Sequence, residues 1–336
     1  MHPPGFWDRP AGPLAAALTP LSWLWRAGGA LRRARARPFR GPVPVICVGN
    51  LTLGGAGKTP TAIALLAALA ERGAPAAAVS RGHGGTERGP HRVDPATDAA
   101  ARVGDEPLLL AAFAPTFVAR DRAAGVAAAA AAGARVVVLD DGHQNPSVVK
   151  DLSLVVVDAG AGFGNGRVFP AGPLREPIAE GLARADSVVL IGDDAEAAAT
   201  LARWPSLSDK PVLRARLTPL ATGLPLEGAP VVAFAGIGRP EKFFATLRAL
   251  GADLRATRSF PDHATYAPAL LRRLAAEARA ADAMLVTTEK DAVRLPPAFR
   301  REVMALPVRL AFDDPAALAA LLSPVCAAAT TPPPPA

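Results

Sequence analysis

A chain of 336 residues, half of them hydrophobic, can bury a large core in one big domain or two unequal ones, which excludes disorder over most of its length. Its two cysteines, Cys47 and Cys326, exclude a disulfide framework and a thiolate metal site and fit a reducing compartment, with Cys47 read as a core residue. The net charge of +7 is unevenly placed: the first 40 residues carry seven arginines against Asp8 alone, leaving 30 basic against 29 acidic residues elsewhere, so no general nucleic-acid footprint is expected.

From Pro20 the stretch "PLSWLWRAGGALRRARAR" predicts a helix with Leu21, Leu24, Trp25, Gly28 and Leu31 on one face and Ser22, Arg26, Gly29 and Arg33 opposite. The apolar part before Arg26 is too short, and too interrupted by Pro13 and Pro20, to span a bilayer, which takes about 20 residues. Residues 1–40 are therefore read as an amphipathic arm lying on a membrane surface, the alternative being a helix packed on the protein's own core.

"VPVICV" (43–48) predicts a buried strand and "TPTAIALLAALAERG" (59–73) a helix, with "GNLTLGGAGKTP" spanning their junction. A phosphate cradle needs converging backbone N–H groups at a helix N-terminus, glycines where side chains would block approach, and a lysine for the outer phosphates. Gly54, Gly55 and Gly57 supply the glycines, Lys58 the clamp and Thr59 a hydroxyl for Mg²⁺, although Thr52 stands where the pattern G-x-x-x-x-G-K-[ST] begins with glycine. Apolar runs at 76–79, 135–139, 152–158 and 187–191 alternate with alanine-rich helical stretches such as 122–132, which predicts βα units around a parallel sheet.

"VGDEPLLLA" (103–111) places Asp105 and Glu106 before an apolar helix, either as an N-terminal cap or as a catalytic carboxylate. "RVVVLDDGHQ" (135–144) ends a strand in Asp140 and Asp141, one of which would reach Mg²⁺ at the carboxyl edge of the sheet. His2 and His91 are read as solvated, His83 as part of a glycine-rich loop open to a ligand, and His263 as a turn residue. "PLATGLPLEGAP" (219–230) reads as a linker to a smaller α/β unit built from strands at 231–236, 283–288 and 308–312 and helices near 240–250 and 265–281. The boundaries are 1–40 for the arm, 41–222 for the nucleotide-binding core, 223–326 for the second unit and 327–336 for a disordered tail. The fold class is α/β, a P-loop NTPase-like parallel sheet flanked by helices, with a smaller C-terminal α/β domain and an N-terminal membrane-associating helix.

The stretches "PVPVICVGNLTLGGAGKTP", "SRGHGG", "GDEP", "DDGHQN", "FGNGRVFPAGPLREP", "AGIGRPEKFFATL", "FPDH" and "TEKDAV", in this order over about residues 20 to 294, resemble the tetraacyldisaccharide 4′-kinase family. The resemblance implies ATP and Mg²⁺ as cofactors and transfer of the γ-phosphate to the 4′-hydroxyl of tetraacyldisaccharide 1-phosphate, a lipid substrate, at the cytoplasmic face of the bacterial inner membrane. It implies no protein partner. By resemblance, Thr52, Leu53, Gly54, Gly55, Ala56, Gly57, Lys58 and Thr59 bind ATP. Lys58 also acts in catalysis, Thr59 with Asp140 or Asp141 holds Mg²⁺, and Asp105 is the general base paired with His263 across a closing cleft. Arginines of the arm are implied to reach the substrate's 1-phosphate. His83 and Asn145 depart from the commonest family pattern, and Glu289, Lys290 and Asp291 match it with no role assigned. The competing reading is a nucleotide-hydrolysing switch of the metallochaperone type, which phosphorylates no acceptor.

Overall fold

The computed structural model describes residues 4–221, 223 and 226–330. Strands β1 (Val45–Gly49), β2 (Ala76–Ser80), β3 (His91–Arg92), β4 (Thr116–Val118), β5 (Val136–Asp140), β6 (Leu152–Asp158), β7 (Ser187–Ile191) and β8 (Val212–Pro219) precede β9 (Pro230–Ala235), β10 (Asp253–Ser259), β11 (Met284–Thr288), β12 (Met304–Leu306) and β13 (Val308–Phe312). Nine of them form one sheet in the order β13-β8-β7-β6-β1-β5-β2-β4-β3, parallel except for the antiparallel edges β13 and β3. Every residue of β1, β5 and β7 is buried, because helices cover both faces of a parallel sheet. Ile46 and Val48 enter the core shared with helices Lys58–Glu71 and Pro315–Thr330, whereas Val45 enters the one shared with helix Arg122–Ala131. Cys47 is fully buried, as expected.

The smaller unit is a four-stranded parallel sheet, β10-β9-β11-β12, with helix Pro240–Ala249 on one face and Pro268–Ala280 on the other. β10 gave no apolar run because it lies at the edge, where only alternate residues turn inward.

Two expectations about the C-terminal part of the chain need correction. The strand expected at 308–312 forms, but it pairs antiparallel with β8 in the large sheet, Leu310 opposite Leu217, so the chain returns to the first unit after visiting the second. Leu318, Leu322, Val325 and Ala329 of the helix that follows are buried in the first core, so residues 327–330 continue that helix in place of a disordered tail. Residues 331–336, and residue 222 of the expected boundary, lie outside the described residues.

The N-terminal helix starts earlier than expected, at Pro13, and runs through Pro20 to Arg35. Its polar edge packs on the protein, joined from the apolar stripe by Trp25, whose ring lies 4.9 Å from that of Phe169. Buried Ser22 donates Oγ–H to Val168 O at 2.7 Å, Arg26 pairs with Glu180 at 3.0 Å, and Arg33 pairs with Glu180 at 3.0 Å and Glu176 at 3.5 Å. Trp25 donates its indole N–H to Arg175 O at 2.9 Å. Leu14, Leu21, Trp23, Leu24 and Leu31 are left outside, Leu24 with 71% of its surface exposed. Among the described residues no helix is long and apolar enough to cross a membrane.

Candidate active site

β1 lies between β6 and β5, where the strand order reverses, and its carboxyl end opens into the crevice where such sheets bind ligands. Gly49 ends the strand because a Cβ there would stand 2.4 Å from His143 Cβ. The next residues explain the missing glycine. Thr52 forms an antiparallel bridge with Leu174, Leu53 N donates to Pro173 O at 2.7 Å, and Arg175 N donates to Leu51 O at 2.7 Å. Residues 51–53 are thus pinned to a neighbouring segment, and Thr52 has no positive φ that would call for glycine.

Glycine is required further on, at Gly54 (φ 108°) and Gly57 (φ 90°), both in the left-handed half of backbone space. Nothing lies within 4 Å of where a Cβ would sit on Gly54 or Gly55, so that part of the loop is open. No side chain caps the helix that begins at Lys58, and its first N–H groups remain available to an anion. Lys58 donates to Asn50 Oδ1 at 3.2 Å and lies 3.9 Å from Asp141 Oδ1; burial pulls its pKa down, opposed by the Asp141 charge.

Asp140 and Asp141 part company at the end of β5. Asp140 is buried, its Oδ2 is 3.5 Å from Thr59 Oγ1, and its Oδ1 has no hydrogen-bond partner among the described residues. Burial pushes its carboxyl up to about 6. Asp141 takes a left-handed φ of 54° and accepts from both guanidinium nitrogens of Arg175 at 2.8 and 3.2 Å; against burial, Lys58 and Arg175 hold its pKa down. His143 turns away into the core against Ser153 and Gly181 O, and burial pulls it down to about 4, so it is a neutral packing residue.

The smaller unit closes over this edge, with Gly238 against Gly55. Helix Asp105–Ala111 begins at Asp105, capped by Gly104, so Asp105 is not itself the cap. Its Oδ2 accepts from His263 Nδ1 at 3.0 Å and from Arg294 Nε at 2.8 Å, and Arg294 Nη2 also contacts it. Against burial, the His263 hydrogen bond, Glu106 and the charges of Lys290 and Arg294 hold Asp105 well below the usual carboxylate range. Glu106, 3.1 Å from Lys290 Nζ, is pushed the other way to about 7 by burial beside Asp105. The bond to Asp105 raises the pKa of His263. The His83 ring stands 5.5 Å from that of His263, and burial together with that neighbour lowers its pKa.

The fragments left without a role now have places. Lys290 bridges Glu106 and Asp262, Glu289 pairs with Arg309 at 2.7 Å, and buried Asp291 accepts from Tyr266 and the Gly236 N–H. Asn145 accepts from Ser147 N and Oγ in a local turn. His91, expected to be solvated, is 2.7 Å from Asp98. His2 lies outside the described residues. Sequence reasoning missed Arg294, Arg175, Asn50 and the burial of Glu106. The one available signal was the spacing of Arg294 three residues after Asp291, which suits a helical ion pair.

Residues 14–327 match the family model described as tetraacyldisaccharide-1-P 4′-kinase. The chain is 57% identical to the tetraacyldisaccharide 4′-kinase of Rhodospirillum centenum, covering 97% of each protein. It is 58% identical to that of Dinoroseobacter shibae, covering 96% of this chain and 97% of the relative. Its fold matches the crystal structure of LpxK from Aquifex aeolicus in complex with ATP, with a TM-score of 0.74 and 26% identity, covering 93% of this chain and 99% of the other.

Proposed function

The chain belongs to the tetraacyldisaccharide 4′-kinase family and is an ATP-dependent lipid A 4′-kinase, and from that premise we propose how its residues divide the reaction. Residues 52–59 cradle the ATP phosphates, with the free N–H groups of the helix N-terminus and Lys58 on the outer ones. Thr59 and Asp140 would hold Mg²⁺. The fit rests on the buried, unpartnered Asp140 Oδ1, an oxygen in need of a cation, whereas Asp141 is already engaged by Arg175 and serves to set the loop. A bound Mg²⁺ would neutralise charge on the transferring phosphate.

The observation that carries the catalytic assignment is the 3.0 Å contact between Asp105, which opens a helix of the large unit, and His263, in a turn of the smaller one whose Asp262 neighbours Gly238, itself against Gly55 of the phosphate loop. The 4′-hydroxyl oxygen attacks the γ-phosphorus, the bond to the β-phosphate oxygen breaks, and the hydroxyl proton passes to Asp105. Arg294 and His263 make Asp105 a weak base in a fixed place. That suits a loose phosphoryl transition state, where positioning counts for more than basicity.

The outward stripe of the N-terminal helix supports a seat on the inner membrane's cytoplasmic face, where ATP and the lipid acceptor meet. Arg26 and Arg33 are taken by Glu180 and Glu176, which leaves Arg32, Arg35 and Arg37 for anionic headgroups or the substrate's 1-phosphate. A direct test is transfer of label from γ-labelled ATP to tetraacyldisaccharide 1-phosphate in detergent with Mg²⁺. Asp105→Ala should cut labelled lipid at least about 100-fold. Hydrolysis by the native protein with no labelled lipid would refute the proposal and favour a nucleotide switch.

A further inference from the structure

Asn50 follows β1 and is fully buried, with its carbonyl oxygen accepting from Gln144 Nε2 at 2.8 Å. Its side-chain amide is used at both ends. Nδ2 donates to Thr52 Oγ1 at 3.2 Å and to Gly54 O at 3.3 Å, while Oδ1 accepts from Lys58 Nζ at 3.2 Å. The orientation is fixed by chemistry, since an ammonium only donates and a backbone carbonyl only accepts. One buried amide therefore ties the extended first half of the loop, the glycine turn and the lysine together.

We propose that Asn50 is a positioning residue of the phosphate loop, setting the Gly54 turn and the Lys58 ammonium for the outer phosphates of ATP. This rests on the reading of residues 52–59 as the ATP loop. A neutral acceptor is suited to this position because buried Lys58 has lost water, and Oδ1 replaces part of that solvation without cancelling the charge the phosphates need. A carboxylate of the same shape would cancel it.

Because Asn50 acts through Lys58, its loss must depend on how many phosphates the ligand carries. Binding of ATP and AMP to the full-length protein, measured by calorimetry, separates this from general disruption, which weakens both alike. Asn50→Ala should weaken ATP at least about tenfold and AMP less than about threefold, and the isosteric Asn50→Asp should give the same pattern. Thr52→Val leaves Asn50 in place and carries the test if the Asn50 variants do not fold. It should weaken ATP about two- to fivefold with AMP unchanged. Equal losses for the two nucleotides, or unchanged ATP binding, would overturn the proposal. Lys58→Ala distinguishes the two levels: if it too leaves the preference for ATP over AMP intact, the phosphate-loop reading fails, and if only the Asn50 and Thr52 variants do so, the role of Asn50 alone fails.

Discussion

Replacing Arg294 with methionine removes the most buried of the cations that join the two units while keeping most of the side-chain bulk. Arg294 is 7% exposed and its partners Asp105 and Asp291 are 4% and 0% exposed, so the substitution strands charge in the interior. Removing one partner of a buried pair costs about 3–5 kcal/mol. Asp105 keeps His263, and Asp291 keeps Tyr266, Thr288 and the Gly236 N–H, which places the expected loss near the lower end, about 3 kcal/mol. An unfolding entropy of about 2.1 cal/mol/K per residue converts this to a fall in Tm of about 4 °C if the chain melts as one unit, and more if the smaller unit melts first. Differential scanning calorimetry at pH 7.5 reads it. In an Asp105→Asn background the same substitution should cost at least about 1 kcal/mol less, since residues in contact couple. A fall under about 1 °C, or additive effects of the two substitutions, would refute the view that Arg294 holds the cleft together through Asp105.

Asp140→Asn should abolish the rise in Tm that Mg²⁺ and ATP produce, yet leave the ligand-free protein as stable or more so at pH 8. The native carboxyl is raised to about 6, so its contribution is intact below the unfolded value and is lost as pH rises through 6, and the amide has no such loss; Tm against pH compares the two. His263 is raised by Asp105, so the stability from that pair is full below its ordinary pKa and falls as pH climbs through the raised value. His263→Ala should flatten that part of the curve, and an unchanged profile would count against the pair. Replacing Trp23 and Leu24, 62% and 71% exposed, with glutamate should reduce flotation with anionic vesicles at least about tenfold while leaving Tm within about 1 °C. Gly49→Ala should destabilise by about 1–3 kcal/mol in calorimetry, because the added Cβ meets His143 Cβ at 2.4 Å and backbone N at 3.0 Å.

Features that depend on neighbours along the chain were legible before any fold was known. The apolar runs of β1, β5, β6 and β7 are strands because residues buried on both faces must be apolar, and Gly54 and Gly57 mark a turn whose left-handed backbone favours glycine. The pairing of Asp105 with His263 was carried by resemblance to a family and not by any spacing. Tertiary structure decided whatever depends on residues distant in sequence. Thr52 is acceptable without glycine because Leu174 bridges it, and the last strand crosses back to β8 because its following helix finds its core there. The N-terminal helix turns Arg26 and Arg33 inward because Glu176 and Glu180 wait on the surface it meets. Arg294 reaches Asp105 across 189 residues, and Asn50 became legible only when its amide was seen between Thr52, Gly54 and Lys58. A short-range pattern records propensity and burial, but the partner that satisfies a buried charge is chosen by packing.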